Sequence, residues 1–305
     1  MKFSLSKLQQ LQKKNNIDLI GVAKSSHLKE DENVFRNWLN SNYNGDMNWM
    51  ENRIEKRTNP QLLFSNTKSV IVIGMNYFSN IQQEKSDNLL VSKYVTEIDY
   101  HKFLKQKLFL LLRKMQNIDN SIKGKVCVDT SPIFEKAWGI KAGLGWRGKN
   151  SLLISPEYGS WIFLGILLVN VEFDKYSKEK RDGCEDCNLC VESCPTGAIL
   201  KDNKIDANKC ISYLTVENND KKLPTELQLN NWIYGCDICQ DICPYNEKNK
   251  KLSVHLEFQP KIKLHNKSKK YWENISESEY RKLKKKTAMK RRKFLFILRN
   301  INHNL

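Results

Sequence analysis

No part of this chain is apolar for long enough to cross a membrane as a helix. Its longest apolar stretches, such as residues 161–169, fall well short of the about 20 residues that a bilayer requires. The first residues also lack an uninterrupted apolar core, a small-residue cleavage site and a twin-arginine pair. Because the usual signals for export and membrane insertion are missing, we expect a cytoplasmic protein with no membrane partner.

Acidic residues are scarce relative to basic ones. The 305 residues include 51 Lys and Arg but only 34 Asp and Glu, which gives a formal net charge of +17. The imbalance is concentrated in residues 281–293, which hold nine basic residues and no acidic one. Such a run is in many proteins only a solvated face. This density nevertheless favours a polyanionic partner, either nucleic acid or an anionic surface.

The cysteines are segregated in one part of the chain. Eight of the nine lie within residues 184–243. In a chain without an export signal, clustered cysteines indicate metal binding or redox chemistry rather than disulfides. The ninth, Cys127, lies in an apolar strand pattern, and we predict that it is a buried side chain rather than a metal ligand.

The hydrophobic pattern of the first 175 residues alternates between helices and strands. The predicted helices are 4–15, 99–116 and 135–142, and the predicted strands are 17–22, 69–75, 125–129, 151–154 and 161–169. We therefore predict an α/β (α+β) domain over residues 1–175. A cysteine-rich module is expected over residues 176–250, and a basic, helical C-terminal segment over residues 251–305.

The spacing of the cysteines is that of a bacterial ferredoxin with two [4Fe–4S] clusters. The two motifs are Cys184-x2-Cys187-x2-Cys190-x3-Cys194-Pro195 and Cys236-x2-Cys239-x3-Cys243-Pro244. Cys210 is the remaining cysteine that can complete the second motif. Three thiolates at two-residue gaps wrap one cluster, while the cysteine before each proline turns towards the other cluster.

The spacing thus predicts two sets of ligands. The first cluster is assigned to Cys184, Cys187, Cys190 and Cys243, and the second to Cys194, Cys210, Cys236 and Cys239. Structural zinc is the alternative, but zinc gives no reason for an x3-Cys-Pro ending that occurs twice. Two clusters in series conduct electrons, so we expect the preceding domain to hold the cofactor or substrate that the electrons reach.

Several segments outside the cysteine motifs resemble epoxyqueuosine reductase, a cobalamin- and iron–sulfur-dependent family of queuosine synthesis in tRNA. In chain order they cover nearly the whole sequence. They are Glu55-Lys-Arg-Thr-Asn-Pro60, Asp99-Tyr-His101, Val128-Asp-Thr-Ser-Pro132, Ala142-Gly-Leu-Gly-Trp-Arg-Gly-Lys-Asn150, Leu152-Leu-Ile-Ser-Pro-Glu-Tyr-Gly-Ser160, Cys210-Ile-Ser-Tyr-Leu-Thr215 and Gly235-Cys-Asp-Ile-Cys-Gln-Asp-Ile-Cys-Pro244. A plain ferredoxin would lack the segments upstream of the cysteines.

The resemblance implies a reaction and a set of partners. The substrate is an epoxide on the cyclopentane ring of the modified wobble nucleotide of certain tRNAs. Its reduction to the alkene consumes two electrons and two protons and releases water. In this family the clusters feed a base-off cobalamin, which makes the first domain a cobalamin- and substrate-binding domain. We also expect an external low-potential donor of the ferredoxin or flavodoxin type, and nothing in the sequence requires more than a monomer.

The resemblance places Asp129 at the family's proton-donor position. A carboxyl group held against an apolar corrin face loses solvation, so we predict that the pKa of Asp129 rises towards neutrality. The alternative is that Asp129 only caps the following turn by accepting hydrogen bonds from backbone N–H groups.

Other positions are implied to contact cobalamin or substrate. The cobalamin contacts are Arg57, Asp129, Trp146, Lys149, Asn150, Leu153, Ile154, Ser155 and Ser212. The substrate and tRNA contacts are Tyr100, His101, Lys284, Lys285, Lys286, Arg291 and Arg292. Alternatives remain for three of them: Arg57 as an exposed arginine at a helix end, Lys149 as a solvated lysine in a tight turn, and His101 as a structural histidine.

The sequence departs from the family pattern in two places. Some members have a cysteine near the corrin where this chain has Ser92, so a thiol role is not available there. Longer members carry a helical-repeat extension beyond the position where this chain ends, at Leu305. Contact with tRNA then depends on residues 281–293 and the first domain, or the affinity is lower.

Two other functions fit part of the pattern. A reductive dehalogenase-like enzyme uses similar cofactors, but that class is usually exported through a twin-arginine signal and a small neutral substrate gives no reason for the charge of +17. A ferredoxin-type electron-transfer protein would use the clusters without chemistry of its own. Bound corrinoid would argue against the electron-transfer protein, and bound tRNA would argue against the dehalogenase.

Overall fold

A computed structural model describes residues 2–81, 83, 88–96, 98–259 and 264–305. The strands are β1 Leu19–Lys24, β2 Ser69–Asn76, β3 Leu90–Val91, β4 Gly124–Cys127, β5 Trp146–Arg147, β6 Leu153–Ile154, β7 Ile162–Val169 and β8 Trp232–Tyr234. The helices are α1 Leu5–Lys14, α2 Lys29–Asn40, α3 Ile54–Thr58, α4 Tyr100–Gln116, α5 Glu135–Lys141, α6 Leu189–Glu192, α7 Ile211–Val216, α8 Ile238–Asp241, α9 Pro244–Lys248, α10 Lys269–Glu273, α11 Glu277–Lys284 and α12 Phe294–His303.

A four-stranded antiparallel sheet in the order β1-β2-β7-β4 forms the centre of the first region. Every residue of β2 is buried, because helices cover both faces of the sheet. Ile71 and Ile73 face the core shared with α1 and α4, whereas Val70 and Val72 face the core shared with α5. This alternation explains why the run reads as continuously apolar in the sequence.

The predicted elements are confirmed in this region, with shifts at their ends. The first strand begins two residues later than predicted, and the strand predicted over 125–129 ends at Cys127. Asp129 therefore lies beyond the strand, in the left-handed region with φ 47°. The strand predicted over 151–154 is reduced to β6 because Ser151, at φ 59°, belongs to the turn between β5 and β6. Cys127 is fully buried, as predicted.

The cysteine-rich part of the chain consists of short helices and loops. Pro244 is the first residue of α9, and α7 begins directly after Cys210. Strand β8 pairs in parallel with β3, so this part of the chain is joined to the first region by backbone hydrogen bonds.

The C-terminal helices are packed rather than free. Trp272, Tyr280, Ile297 and Ile301 are fully buried and share a core with Ile233 of β8. Among the described residues, no helix combines the length and the apolar character needed to span a membrane.

Candidate active site

A cavity of about 1410 Å³ lies between the first region, the segment around Cys210 and the C-terminal segment. It brings together seven of the residues singled out from the sequence: Arg57, Tyr100, His101, Asp129, Cys210, Ser212 and Arg291. The residues from 38 to 57 form one wall, and the turn that contains Lys290 and Arg291 forms part of the rim. Residues far apart in the sequence thus share one site.

Asp129 reaches this cavity from the loop after β4. Its left-handed backbone costs about 1–2 kcal/mol for a residue with a side chain, although aspartate tolerates it better than most. Its Oδ2 lies 2.7 Å from Nε2 of His101, and 45% of its side chain is exposed. The loop therefore presents a carboxylate to the cavity and ties it to an imidazole.

His101 lies in the first turn of α4, between two carboxylates. Its Nδ1 is 2.5 Å from Oδ1 of Asp99, which also caps the helix by accepting the backbone N–H of His101. The other oxygen of Asp99 pairs with Lys290 of the C-terminal segment. The resulting chain of contacts runs from Lys290 through Asp99 and His101 to Asp129.

The charged groups in this series of contacts shift the pKa values of His101 and Asp129. Burial would lower the pKa of His101, but the hydrogen bonds to Asp129 and Asp99 outweigh it and the net shift is upward. Burial would raise the pKa of Asp129, but the hydrogen bond and charge of His101 and the charge of Arg291 shift it downward. The predicted rise in the pKa of Asp129 is therefore wrong for this arrangement, because the facing cations stabilise the carboxylate. The two shifts together favour the proton on His101 over Asp129.

Tyr100 packs against His101 of the His101–Asp129 pair. Its ring stacks on Phe163 with a centroid separation of 4.2 Å and on His101 with 4.1 Å. Burial, followed by the negative charge of Asp129, raises the pKa of Tyr100 well above its ordinary value. The phenol is therefore neutral and fixed in position.

Arg57 is half-buried in the cavity wall rather than exposed at a helix end. Its Nη2 donates to the carbonyl oxygen of Trp49 at 3.3 Å, and its Cζ lies 5.4 Å from the centre of the Trp49 ring. The Nε of Arg57 is buried without a hydrogen-bond partner among the described residues. An unpaired donor in the wall of a large cavity is suited to an acceptor on a ligand.

Sequence reasoning missed Glu135, which lies near both Asp129 and Arg57. Burial, opposed by backbone N–H groups and increased by the charge of Asp129, raises the pKa of Glu135 to about 8. Its Oε1 is buried without a hydrogen-bond partner in the described part of the chain. Nothing in the sequence distinguishes this residue from an ordinary acidic residue in the first turn of a helix.

The cysteines of the two motifs lie close to one another, and their division between two clusters stays a prediction. Cys184, Cys187, Cys190 and Cys243 line a second cavity of about 450 Å³. Burial raises the pKa of Cys239, and the thiols of Cys210, Cys190 and Cys194 raise it further, so the two predicted sets of thiols adjoin. Among the described residues, no three potential ligands converge on one point as the ligands of a single metal ion do.

The glycine-rich loop lies beside the thiols and outside the lining of the large cavity. Trp146 Nε1 donates to Cys184 Sγ at 3.4 Å, Lys149 Nζ to Asn188 Oδ1 at 2.9 Å, and Asn150 Nδ2 to the carbonyl oxygen of Cys239 at 3.4 Å. Ile154 lines the cavity of the thiols, Leu153 is buried under α5, and Ser155 accepts the N–H of Glu157. Their roles in cobalamin binding stay predictions.

Gly145 of this loop is required by the hairpin of β5 and β6 itself. A Cβ on Gly145 would lie 2.0 Å from the carbonyl oxygen of Ile154, so the close approach that requires glycine is between β5 and β6.

The basic residues of segment 281–293 do not form one continuous exposed surface. Lys285 and Lys286 are exposed, Lys290 and Arg291 line the large cavity, and Lys284 donates to the carbonyl oxygen of Arg292. Arg292 is only 4% exposed and donates to the carbonyl oxygens of Glu217 and Asn218. The prediction that Arg292 contacts tRNA is wrong in this structure, because its guanidinium is used inside the protein.

The sequence of this chain is similar to those of known proteins. A family model described as "Epoxyqueuosine reductase QueG, DUF1730" matches residues 57–130, and one described as "4Fe-4S double cluster binding domain" matches residues 183–246. The epoxyqueuosine reductase of Cyclobacterium marinum is 39% identical over 95% of this chain and 93% of its own length. That of Synechocystis is 37% identical over 94% of this chain and 100% of its own length.

Solved structures are similar over 98% of this chain and 80% of their own length. One is an epoxyqueuosine reductase with a tRNA-Tyr epoxyqueuosine-modified stem loop, with a TM-score of 0.88 and 28% identity. Another is the epoxyqueuosine reductase of Bacillus subtilis with its catalytic aspartate loop swung out of the active site, with the same TM-score and identity. The enzyme of Streptococcus thermophilus gives 0.87 and 27%.

Proposed function

This chain belongs to the epoxyqueuosine reductase family, and we propose that it reduces epoxyqueuosine to queuosine at the wobble position of tRNA. The observation that carries the proposal is the shared cavity of Asp129, His101, Tyr100 and Cys210. It combines an acid–base pair with a thiol from a cysteine motif that the double-cluster family model covers. Reduction of an epoxide to an alkene requires both protons and electrons at one place.

The protein is an iron–sulfur oxidoreductase, and we assign its ligands as the spacing suggests. Cys184, Cys187, Cys190 and Cys243 hold the first cluster, and Cys194, Cys210, Cys236 and Cys239 hold the second. Cys187 is exposed, whereas burial raises the pKa values of Cys236 and Cys239 strongly. Electrons therefore enter at the first cluster from an external low-potential donor of the ferredoxin or flavodoxin type. They leave at the second, where Cys210 faces the large cavity.

The cavity fits a cobalamin. Its volume of about 1410 Å³ exceeds the about 300–1,000 Å³ of ordinary small-molecule sites, as a large cofactor requires. Arg57, with its unpaired Nε, and Ser212, next to Cys210, would hold the cofactor. When bound, a cobalamin supplies a strongly reducing centre between the second cluster and the epoxide.

Protons reach the oxygen of the epoxide through His101 and Asp129. The imidazolium of His101 is stabilised by two carboxylates and stores the proton. Asp129 accepts it at Oδ2, 2.7 Å from Nε2, and presents its carboxyl group to the oxygen that departs. Asp99 and Lys290 hold His101 in the orientation that this transfer requires.

The substrate is a tRNA, and the chain offers a basic approach to the cavity. Arg53, Lys290 and Arg291 line it, and Lys285 and Lys286 are exposed nearby in the sequence. Phosphate contacts from these side chains give affinity, while the modified nucleotide enters the cavity to be read and reduced. The protein acts on it as a monomer.

The test is single-turnover conversion of tRNA that carries epoxyqueuosine by protein with both clusters reconstituted. Cobalamin and a strong reductant are supplied, and the nucleosides are read by mass spectrometry. We expect the loss of one oxygen atom only when cobalamin is present. No conversion by protein with intact clusters and bound corrinoid would overturn the proposal, and failure to bind any corrinoid would indicate an electron-transfer protein.

A further inference from the structure

Trp49 is a large aromatic residue left open to solvent in the wall of the catalytic cavity. Its side chain is 48% exposed, whereas other tryptophans of the described chain, such as Trp138, Trp161 and Trp232, are almost fully buried. It lies in a one-turn 3₁₀ helix, Asn48–Met50, whose position is fixed when Trp49 accepts a hydrogen bond from Arg57 at its carbonyl oxygen. A half-exposed indole that lines a cavity is available to a ligand.

Guanidinium groups that follow this indole in the sequence lie close to it in space. The Cζ atoms of Arg57 and Arg291 are 5.4 and 5.9 Å from its centre, and Arg53 also lines the cavity. Both cations lie within the about 6 Å range of cation–π contact, and the side chain of Trp49 nevertheless stays 48% exposed. Arg291 forms a salt bridge with Glu217, in which Oε1 of Glu217 lies 2.7 Å from Nε of Arg291.

Arg291 also connects Trp49 to the catalytic carboxylate. Its positive charge lowers the pKa of Asp129, so the guanidinium is near Asp129 as well as near the indole. Trp49, Arg291 and Asp129 line the same cavity, so Trp49 shares the space in which the epoxide reacts. A nucleotide adjacent to the reacting one in an RNA strand can reach the part of this cavity beside Trp49.

Trp49 and the arginines near it are suited to binding single-stranded RNA. An aromatic face stacks on a nucleobase of any sequence, and the arginines beside it pair with phosphate oxygens or stack in their turn. A small uncharged ligand would have no use for two cations beside one indole and a third in the same cavity. The amide-bearing edge of a corrin is a different occupant, which the experiment below separates from RNA.

We propose that Trp49 is the stacking platform for a nucleobase next to the modified nucleotide, with Arg53 and Arg291 on the adjoining phosphates. The identity of the RNA rests on the proposed function. The stacking subsite itself is defined by the indole and its cations. It fixes the register of the anticodon loop, so that the modified nucleotide enters the cavity and its neighbour stays outside.

The experiment measures binding of anticodon stem loops that carry guanosine at the modified position, so that no turnover interferes. The protein has both clusters and cobalamin bound, at one fixed salt concentration. Trp49→Ala should weaken binding about 10- to 100-fold, and Trp49→Phe should recover most of the loss. Phe109→Ala is the matched control, because Phe109 is 52% exposed but does not line the cavity, and it should leave binding unchanged.

A second set of stem loops tests which base is stacked. Each lacks the base on one side of the modified position. With one of these RNAs, Trp49→Ala should have no further effect, because the partner of the indole is already missing. An equal loss with every abasic RNA, or no loss with the intact one, overturns the proposal. So does unchanged RNA binding together with weaker cobalamin binding, which would assign Trp49 to the cofactor.

These outcomes are independent of turnover. If the wild-type protein fails to convert epoxyqueuosine but the pattern with abasic RNA is found, the stacking subsite stands and the reaction must be reconsidered. If conversion is found and the pattern is absent, the reaction stands and the subsite is refuted.

Discussion

At the scale of single residues, the site is governed by the pairing of His101 with two carboxylates. A lone aspartate in a cavity would depend on burial to hold a proton at neutral pH. Here the proton is held by an imidazole whose pKa is raised by Asp129 and Asp99, and the pKa of Asp129 is lowered in return. The pair can deliver a proton without requiring Asp129 to be neutral in the resting state.

Asp129→Asn is expected to lower the single-turnover rate about 10²- to 10⁴-fold, because the amide cannot pass a proton to the departing oxygen. Asparagine tolerates the left-handed backbone at φ 47°, so the change isolates the carboxylate. Rates are measured at saturating tRNA, with the absorbance of the clusters and of bound cobalamin as checks of integrity. Asp119→Asn, at a partly exposed position outside the lining of the large cavity, is the control. An undiminished rate would remove Asp129 from the mechanism.

Asp99→Asn is expected to move the alkaline limb of the kcat/KM profile to lower pH. The charge of Asp99 helps to raise the pKa of His101, so without it the imidazolium loses its proton at a lower pH. The asparagine side chain can still accept the N–H that caps α4. Glu277→Gln, at an exposed position of α11, should leave the profile in place. An unmoved alkaline limb in Asp99→Asn would mean that His101 does not supply the proton.

At the scale of elements, the C-terminal helix α12 holds the segment between Cys210 and Cys236. Arg299, 8% exposed, donates to the carbonyl oxygens of Leu214, Asn218 and Asp220 at the end of α7. Asn300 donates to the carbonyl oxygens of Thr215 and Ile233. The side chain of Thr215 in turn accepts the N–H of Gly235, next to Cys236. Buried carbonyl groups at the end of a helix thus find their donors in a distant helix.

Arg299→Met is expected to lower the free energy of unfolding by at least about 2 kcal/mol, because several buried carbonyl groups lose their donor. Urea denaturation followed by circular dichroism measures the change. Arg281→Met removes an arginine of α11 that is 71% exposed and pairs with Glu277 of the same helix, so it should cost well under about 1 kcal/mol. Equal costs for the two variants would show that the contacts of Arg299 contribute little.

The elements were predictable where the pattern is local. Strand β2 and helix α4 were recognisable because burial imposes its own period on consecutive residues, and Gly143 ends α5 at φ 72° as expected. The end of β4 at Cys127 was not predictable from the sequence. Val128 is as apolar and as buried as the strand residues, and only the backbone geometry of the loop shows that the strand has ended. The two cysteine sets were derived from spacing alone, and the assignment of each set to one cluster stays a prediction. The contact of Trp49 with Arg291 could not be predicted, since it joins distant parts of the chain.

At the scale of the whole molecule, the basic residues are divided between internal and external use. Arg292 and Arg299 satisfy buried carbonyl groups, Lys290 and Arg291 serve the cavity, and Lys285 and Lys286 remain exposed. Net charge therefore overstates the surface that is available to an RNA. A count of exposed residues is the better guide to its electrostatic binding.

Changing Lys285 and Lys286 to Gln is expected to weaken tRNA binding and flatten its dependence on salt. For each lysine that neutralises a phosphate, its replacement should reduce the slope of log K against log salt by about 0.7–0.9. Fluorescence anisotropy with labelled stem loop across a range of salt concentrations gives the slope. Lys13 and Lys14, exposed in α1 and absent from the cavity lining, supply the control pair. An unchanged slope would make the exposed run a solvated surface only.

The position of Asn300 in α12 has a consequence for the order in which the structure is completed. The backbone beside Cys210 and Cys236 is fastened by Asn300 and Thr215, and α12 follows both cysteines in the sequence. The wall that carries these thiols is therefore complete only after α12 has docked, and a change that displaces α12 would loosen the thiols as well.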